Sequence, residues 1–215
     1  MPGAISIGAI PDHLIMGSIG DPLVLFDTFT DVAGTLLSTH TPDKGDSWNI
    51  ESGSVFDSTG NLARLQSGQA GVNTAWMNGI SSNLTMQCTV TLPAGGQFAG
   101  MVYHISDSAN FLALFAEVNG ALTLRQYQAA VLATISTITS DLIILSSGVA
   151  YTFRFESDGS TLDLYVNSTL EISTNDTANA DAGQSGTAYG LLQWDNVLTA
   201  AWDNFRVSNA KGVLG

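Results

Sequence analysis

One cysteine, Cys88, stands in 215 residues, so no intramolecular disulfide is available. A chain of this length needs none, because it buries a core large enough to hold without staples. Cys88 falls in an alternating stretch, where the expected role is a small buried hydrophobe. Basic residues are scarce as well: six Lys and Arg stand against 19 Asp and Glu, for a net charge of −13. Phosphate contact needs clustered Lys and Arg, so nucleic acid binding is excluded, and so is adhesion to an anionic membrane surface. The acidic balance suits solubility, cation binding or a basic partner. No apolar run is long enough to insert in a membrane as a spanning helix. The first basic residue is Lys44, so the start lacks the positive region of a secretory signal, and synthesis in the cytoplasm is expected. No segment carries a helical period, and there is no internal repeat or linker.

What remains is alternation and turn chemistry. Charged residues make up 12% of the chain and glycine is frequent at 22, so the polar surface is built from Ser, Thr, Asn and Gln around many turns. The clearest unit is YTFRFESDGSTLDLYV, residues 151–166. Asp158-Gly159 reads as a type I′ turn, which pairs Phe155 with Leu162, Phe153 with Leu164 and Tyr151 with Val166. The other face then pairs Glu156 with Thr161, Arg154 with Asp163 and Thr152 with Tyr165. One face is apolar and the other polar, as in a half-buried antiparallel sheet. Asn119-Gly120 is a second I′ signal and places Phe115 opposite Leu124. Leu84, Met86, Cys88, Val90 and Leu92 alternate with polar residues, and Phe111 to Val118 is apolar on both sides.

Further strands are expected at 23–29, 48–51, 62–66, 72–76, 98–105, 131–145 (two, broken near Ser140-Asp141), 170–173, 187–194 and 201–207. Residues 34–48 read as a turn-rich crossing. The expected architecture is all-β: a two-sheet antiparallel β-sandwich over residues 23–215, preceded by an extended N-terminal arm, residues 1–22. That arm carries Ile5, Ile7, Ile10, Leu14, Ile15 and Met16, so it packs on its own domain or on a neighbouring subunit. The polar stretch 174–186 is long for an inert connection and is a candidate contact loop.

LFDTFT, PDKGDSW, DSANFLALFAEVNGALTLRQY, GVAYTFRFESDGSTLDLYVNS, GTAYGLL and WDNFRV, taken in order over residues 24–208, resemble the concanavalin A-like lectin/glucanase superfamily in its laminin-G-like form. The resemblance implies a jelly roll whose first and last strands lie side by side. At Asn167-Ser168 the chain departs from the Asn-Gly common in that family, which leaves the turn there less firmly specified. The superfamily hosts glycosidases, lectins, adhesion modules and virion proteins, so the fold alone does not settle function. A GTLLSTHTPD opening with no signal and no cysteine pairs resembles tailed-phage virion proteins.

Hydrolases of that fold carry Glu-x-Asp-x-Glu along one strand. The glutamates here, Glu51, Glu117, Glu156 and Glu171, begin no such motif, and Glu156 reads as a solvated strand end. His13, His40 and His104 are scattered, no Ser or Cys sits in a nucleophile elbow, and clustered zinc ligands and a phosphate-binding glycine loop are absent. With first and last strands adjacent, Asp27 and Asp203, with Asn204, form the candidate metal site. Calcium is the ion they suit, as an option rather than a required cofactor. Against this stands the plainer role of Asp27 and Asp203 as strand-end caps or partners of Arg206. Trp48, Trp76, Trp194 and Trp202 are the aromatics to follow for sugar stacking, with Trp194 and Trp202 the candidates; the plainer role of each is packing in the core or rim. Two readings follow. The first is a non-enzymatic virion component, a capsid decoration or tail accessory protein, that assembles through the arm and sheet edges with itself or other virion proteins. The second is a carbohydrate-binding module, with host-surface glycans as its partners.

Overall fold

A computed structural model of the chain describes residues 23–79, 83–93, 98–118, 121–128, 131–139, 145–159, 161–175, 186–195, 200–209 and 212. The arm, most of the 174–186 loop and the expected break at Ser140-Asp141 lie outside these residues. Sixteen strands and no helix occur among them. In chain order they begin β1 (Leu23–Asp27), β2 (Thr35–Leu36), β3 (Asn49–Ile50), β4 (Val55–Ser58) and β5 (Ala63–Ser67). Next come β6 (Val72–Asn78), β7 (Leu84–Thr91), β8 (Phe98–Asp107), β9 (Asn110–Glu117), β10 (Ala121–Gln128) and β11 (Val131–Thr139). The last five are β12 (Ala150–Ser157), β13 (Thr161–Val166), β14 (Thr169–Asn175), β15 (Ala188–Trp194) and β16 (Ala201–Ser208).

They form two antiparallel sheets. The larger, of nine strands, runs β14-β13-β12-β7-β16-β5-β4-β2, with β1 also paired to β16; the smaller, of seven, runs β11-β10-β9-β8-β15-β6-β3. First and last strands are thus neighbours, with Phe26 opposite Arg206 and Asp27 opposite Phe205. The sequence pattern misses β2 and β4, which are too short to show an alternation.

The core lies where the two sheets face each other. Met86, Cys88 and Val90 of β7 and Phe153 and Phe155 of β12 meet Met101, Tyr103, Leu112, Leu114, Leu122 and Leu124 from the smaller sheet. Each fully buried Phe is worth roughly 1.5–3 kcal/mol. Cys88 faces a bulge in β16: Asp203 pairs with Thr89 and Arg206 with Gln87, which leaves Asn204 at φ 52° in the extra length. The Cys88 thiol points at the Asp203 carbonyl, 3.3 Å away, and burial pushes its pKa up. It is the small buried group that the alternation predicts.

Two registers differ from the sequence expectation. In the 151–166 hairpin, Phe153 pairs with Val166, Phe155 with Leu164 and Glu156 with Asp163, a slip of two residues. An even slip keeps every side chain on its face, so the apolar face survives. The cause is local. Of Asp158 and Gly159 only the glycine has positive φ, 79°, while the Asp158 carboxylate accepts from Thr161 N (2.8 Å) and Oγ1 (3.0 Å). That side-chain closure holds a longer loop than a type I′ turn. In this register Arg154 stands opposite Tyr165 and lies over its ring at 4.3 Å, with Nε 3.3 Å from Glu156.

The Asn119-Gly120 turn itself lies outside the described residues, but its arms pair Phe115 with Thr123 and Leu124 with Leu114. This differs by one residue from the expectation and turns Phe115 away from Leu124. Leu112, Leu114, Leu122 and Leu124 then all face the core, while Phe111 and Phe115 belong to a second apolar cluster on the outer face. Strand β9 is buried on both faces, as its unbroken apolar run requires.

Candidate functional site

The second cluster defines a surface. Along β15 the alternation sends Tyr189 and Leu191 to the core and Leu192 and Trp194 outward. Along β6 it sends Ala75 and Met77 inward, so that Val72 and Trp76 face out. Val102, Phe111, Ala113, Phe115 and Leu192 are buried at the centre of this outer face. Trp76, Phe98, Tyr127 and Trp194 are half-buried and packed against that centre as a rim. Phe115 holds the rim together: its ring meets Phe98 edge-on at 5.7 Å and Trp194 at 5.9 Å. Tyr127 stacks on Phe111 at 4.7 Å. The Arg125 guanidinium lies 5.3 Å from the Phe98 ring centre and 5.0 Å from that of Phe115. Half-exposed rings around an apolar floor, with few polar groups, are what ring-stacking ligands need.

The polar groups of this face sit apart. At the β3 edge the Glu51 carboxylate accepts from Thr74 Oγ1 at 3.0 Å. Burial raises its pKa, against the opposing Thr74 hydrogen bonds. Glu117 pairs with Phe98 at the other end of the face. Four strand spacings separate the β3 edge from β9 in the sheet order, about 19 Å at about 4.8 Å each. Glu156 is not a solvated strand end. It is 6% exposed and lies beside Arg154 on the larger sheet. Glu171 is the extra residue of a bulge in β14, between the pairs Leu164–Ile172 and Tyr165–Leu170.

The candidate metal residues separate in the same way. The Asp27 carboxylate is fully buried and filled by N–H donors: Trp48 Nε1 at 2.6 Å, Phe29 N at 2.7 Å, and His40 Nε2 at 2.9 Å. These donors leave little room for a cation, and neither Asp203 nor Asn204 shares the network. Asp203 instead lends its carbonyl to Cys88, and Asn204 occupies the bulge. No group of three or more His, Cys, Asp or Glu among the described residues is placed to hold a metal ion. His104 is buried at φ 53°, with Nδ1 3.0 Å from the Gly186 carbonyl.

The four tryptophans divide two and two. Trp48 and Trp202 are core residues, the second 0% exposed with Nε1 donating to the Gly100 carbonyl across the sandwich at 2.9 Å. A sugar does not reach Trp202, so its candidacy as a stacking residue fails on burial. Trp194 and Trp76 lie on the aromatic rim. Phe98, Tyr127 and Arg125 share this face and escape the sequence reading. The signal for Arg125 and Tyr127 was present in β10, where Leu122 and Leu124 alternate with them, but the one-residue error in register hid it.

No protein-family model matches the sequence, and no curated protein does. Solved structures share the fold. A carbohydrate-binding module of Bacillus subtilis, CBM66, superposes with a TM-score of 0.62 at 14% identity, over 75% of this chain and 94% of that one. Domain 4 of the extracellular arabinanase AbnA from Geobacillus stearothermophilus, in complex with arabinotriose, gives 0.57 at 14% identity over 88% and 93%. A Bacillus licheniformis β-glucanase gives 0.58 at 10% identity over 86% and 97%. At these identities the likeness establishes the two-sheet jelly-roll sandwich, and the fold alone.

Proposed function

We propose that this chain is a non-catalytic carbohydrate-binding module and that the outer face of the smaller sheet is its binding surface. The observation that carries the reading is the rim of half-buried Trp76, Phe98, Tyr127 and Trp194 on that face. Sugar rings present apolar C–H faces, and aromatic rings fixed by packing receive them at small cost in side-chain entropy. Two of the structures sharing the fold are a carbohydrate-binding module and a domain in complex with arabinotriose, which supports the reading. The third is a glucanase, and here the carboxylate geometry weighs against hydrolysis. Paired glycosidase carboxylates stand about 5–9.5 Å apart, far closer than Glu51 and Glu117 on this face. The virion role suggested by the opening motif gains no support from these likenesses.

The test is affinity electrophoresis of the full chain on a panel of neutral and acidic polysaccharides. At least one polysaccharide retards the protein; Trp194→Ala abolishes the retardation and Trp76→Ala weakens it, with circular dichroism unchanged. Free migration on every member of the panel, or release of reducing sugar, overturns the proposal.

A further inference from the structure

Arg125 is the only Lys or Arg on the strands of the smaller sheet. The chain carries 19 acidic side chains to six basic ones, yet Arg125 makes no ion pair with a described residue. Its Nε is buried without a hydrogen-bond partner. The Nε atoms of Arg154 and Arg206 are buried in the same way, but Arg154 lies against Glu156 and only Arg125 sits on the aromatic face. A half-buried cation without a counter-ion among the described residues of so acidic a protein needs a reason, because a charge removed from water is costly unless paired. The rings of Phe98 and Phe115 account for one side of the guanidinium. They fix its plane but satisfy none of its donors. Glu117, beside Phe98 on the same face, makes no ion pair with it.

We infer that this face takes a carboxylate-bearing sugar, a uronic acid, with the Arg125 guanidinium as the anchor of the carboxylate. The inference rests on the carbohydrate-binding reading and deepens it. The planar fork of a guanidinium matches a carboxylate in two parallel hydrogen bonds. Trp194 meets the same Phe115 ring that Arg125 covers. A sugar ring held by Trp194 therefore has its carboxylate beside the cation, so stacking and charge recognition fall within a single residue of the glycan. The net charge of −13 acts against a long polyanion at a distance. Screening limits that repulsion to about 8 Å at physiological salt, whereas the Arg125 contact is made at hydrogen-bond range.

The experiment measures binding of the full chain to polyuronates (polygalacturonate, glucuronoxylan, alginate) and to the methyl ester of each, which masks the carboxylate and keeps the backbone. At least one polyuronate binds about tenfold or more tighter than its ester, as expected for a charge-assisted hydrogen-bond pair. Arg125→Gln erases that preference for the free acid over its ester, and Arg125→Lys restores part of it. Thermal melts of both variants show that they are folded. Binding of neutral polysaccharides with no preference for the free acid overturns this inference and leaves the binding module standing. Equal binding of a sulfated galactan free of uronate overturns the carboxylate assignment. Absence of binding to every glycan overturns both.

Discussion

His40 places Nε2 2.9 Å from both oxygens of the buried Asp27 carboxylate, while its Nδ1 faces Asp31 at 3.3 Å. The pair is the centre of a latch. Asp27 also accepts from Phe29 N two residues on, an Asx-type closure that holds Phe29 at φ 54°. Trp48 donates to the same carboxylate and packs between Phe29 (5.7 Å) and Phe205 (5.3 Å). Thr28 donates through N and Oγ1 to Asp43. The segments LFDTFT and PDKGDSW are therefore two halves of one device that ties the crossing after β1 to the core.

The latch makes stability depend on pH. Burial alone would lower the pKa of His40, but the hydrogen bonds and charges of Asp27 and Asp31 outweigh it and the net direction is up. A raised folded pKa gives stability that is complete below the unfolded value, about 6.5, and is lost as pH rises through the folded value. Asp27 is also raised, by burial first, against its three donors, so its contribution has the same sign. Urea midpoints measured upward from pH 6.5 should fall in the wild type and stay flat in His40→Gln over that window. At pH 6, His40→Ala should cost about 3 kcal/mol, the low end for breaking a buried pair, because Trp48 and Phe29 N still hold Asp27. A wild-type midpoint that rises across this window contradicts the assigned direction.

Ser168 is strained by its turn. Val166 pairs with Thr169, and the two residues between them, Asn167 and Ser168, have φ values of 47° and 71°. This is a type I′ turn, so the position where the chain departs from Asn-Gly keeps the turn in spite of the departure. Asn167 anchors it through Oδ1 to Thr152 N at 2.9 Å. A left-handed Ser costs about 1–2 kcal/mol, and Gly loses about 0.5–1 kcal/mol more entropy on folding. Ser168→Gly should therefore raise stability by roughly 0.5–1 kcal/mol, read from the denaturant midpoint at constant slope. A lower midpoint would show that the Ser168 side chain contributes more than its backbone strain removes.

The sandwich was legible because period-two patterns survive errors of register by an even number. The 151–166 hairpin slipped by two residues and its apolar face stayed correct. The Phe115 pairing slipped by one, and with it went the outer aromatic face. Trp202 illustrates a different limit. Strand alternation says that Trp202 and Asp203 point opposite ways, but only the partner sheet says which of them is inside. Likewise, β1 and β16 are neighbours as expected, yet Asp27 and Asp203 do not combine. The N–H donors that claim Asp27 come from His40 and Trp48, 13 and 21 residues away in the chain, at no spacing that marks them as partners.

Trp202 and Trp194 should respond to substitution in opposite ways. Trp202 links the sheets through its bond to the Gly100 carbonyl, at a place where a Cβ on Gly100 would clash with the Leu114 carbonyl oxygen. Trp202→Phe should therefore cost about 2–3 kcal/mol, from a lost buried hydrogen bond and a smaller ring. The affinity of the folded fraction for the polysaccharide should be unchanged. Trp194 is half-buried on the rim, so Trp194→Ala should cost about 1–2 kcal/mol of stability and remove retardation on the same gel. Thermal melts and affinity electrophoresis of both variants, well below either melting temperature, separate the two effects. Loss of sugar binding in folded Trp202→Phe with retention in Trp194→Ala would move the binding surface off this face.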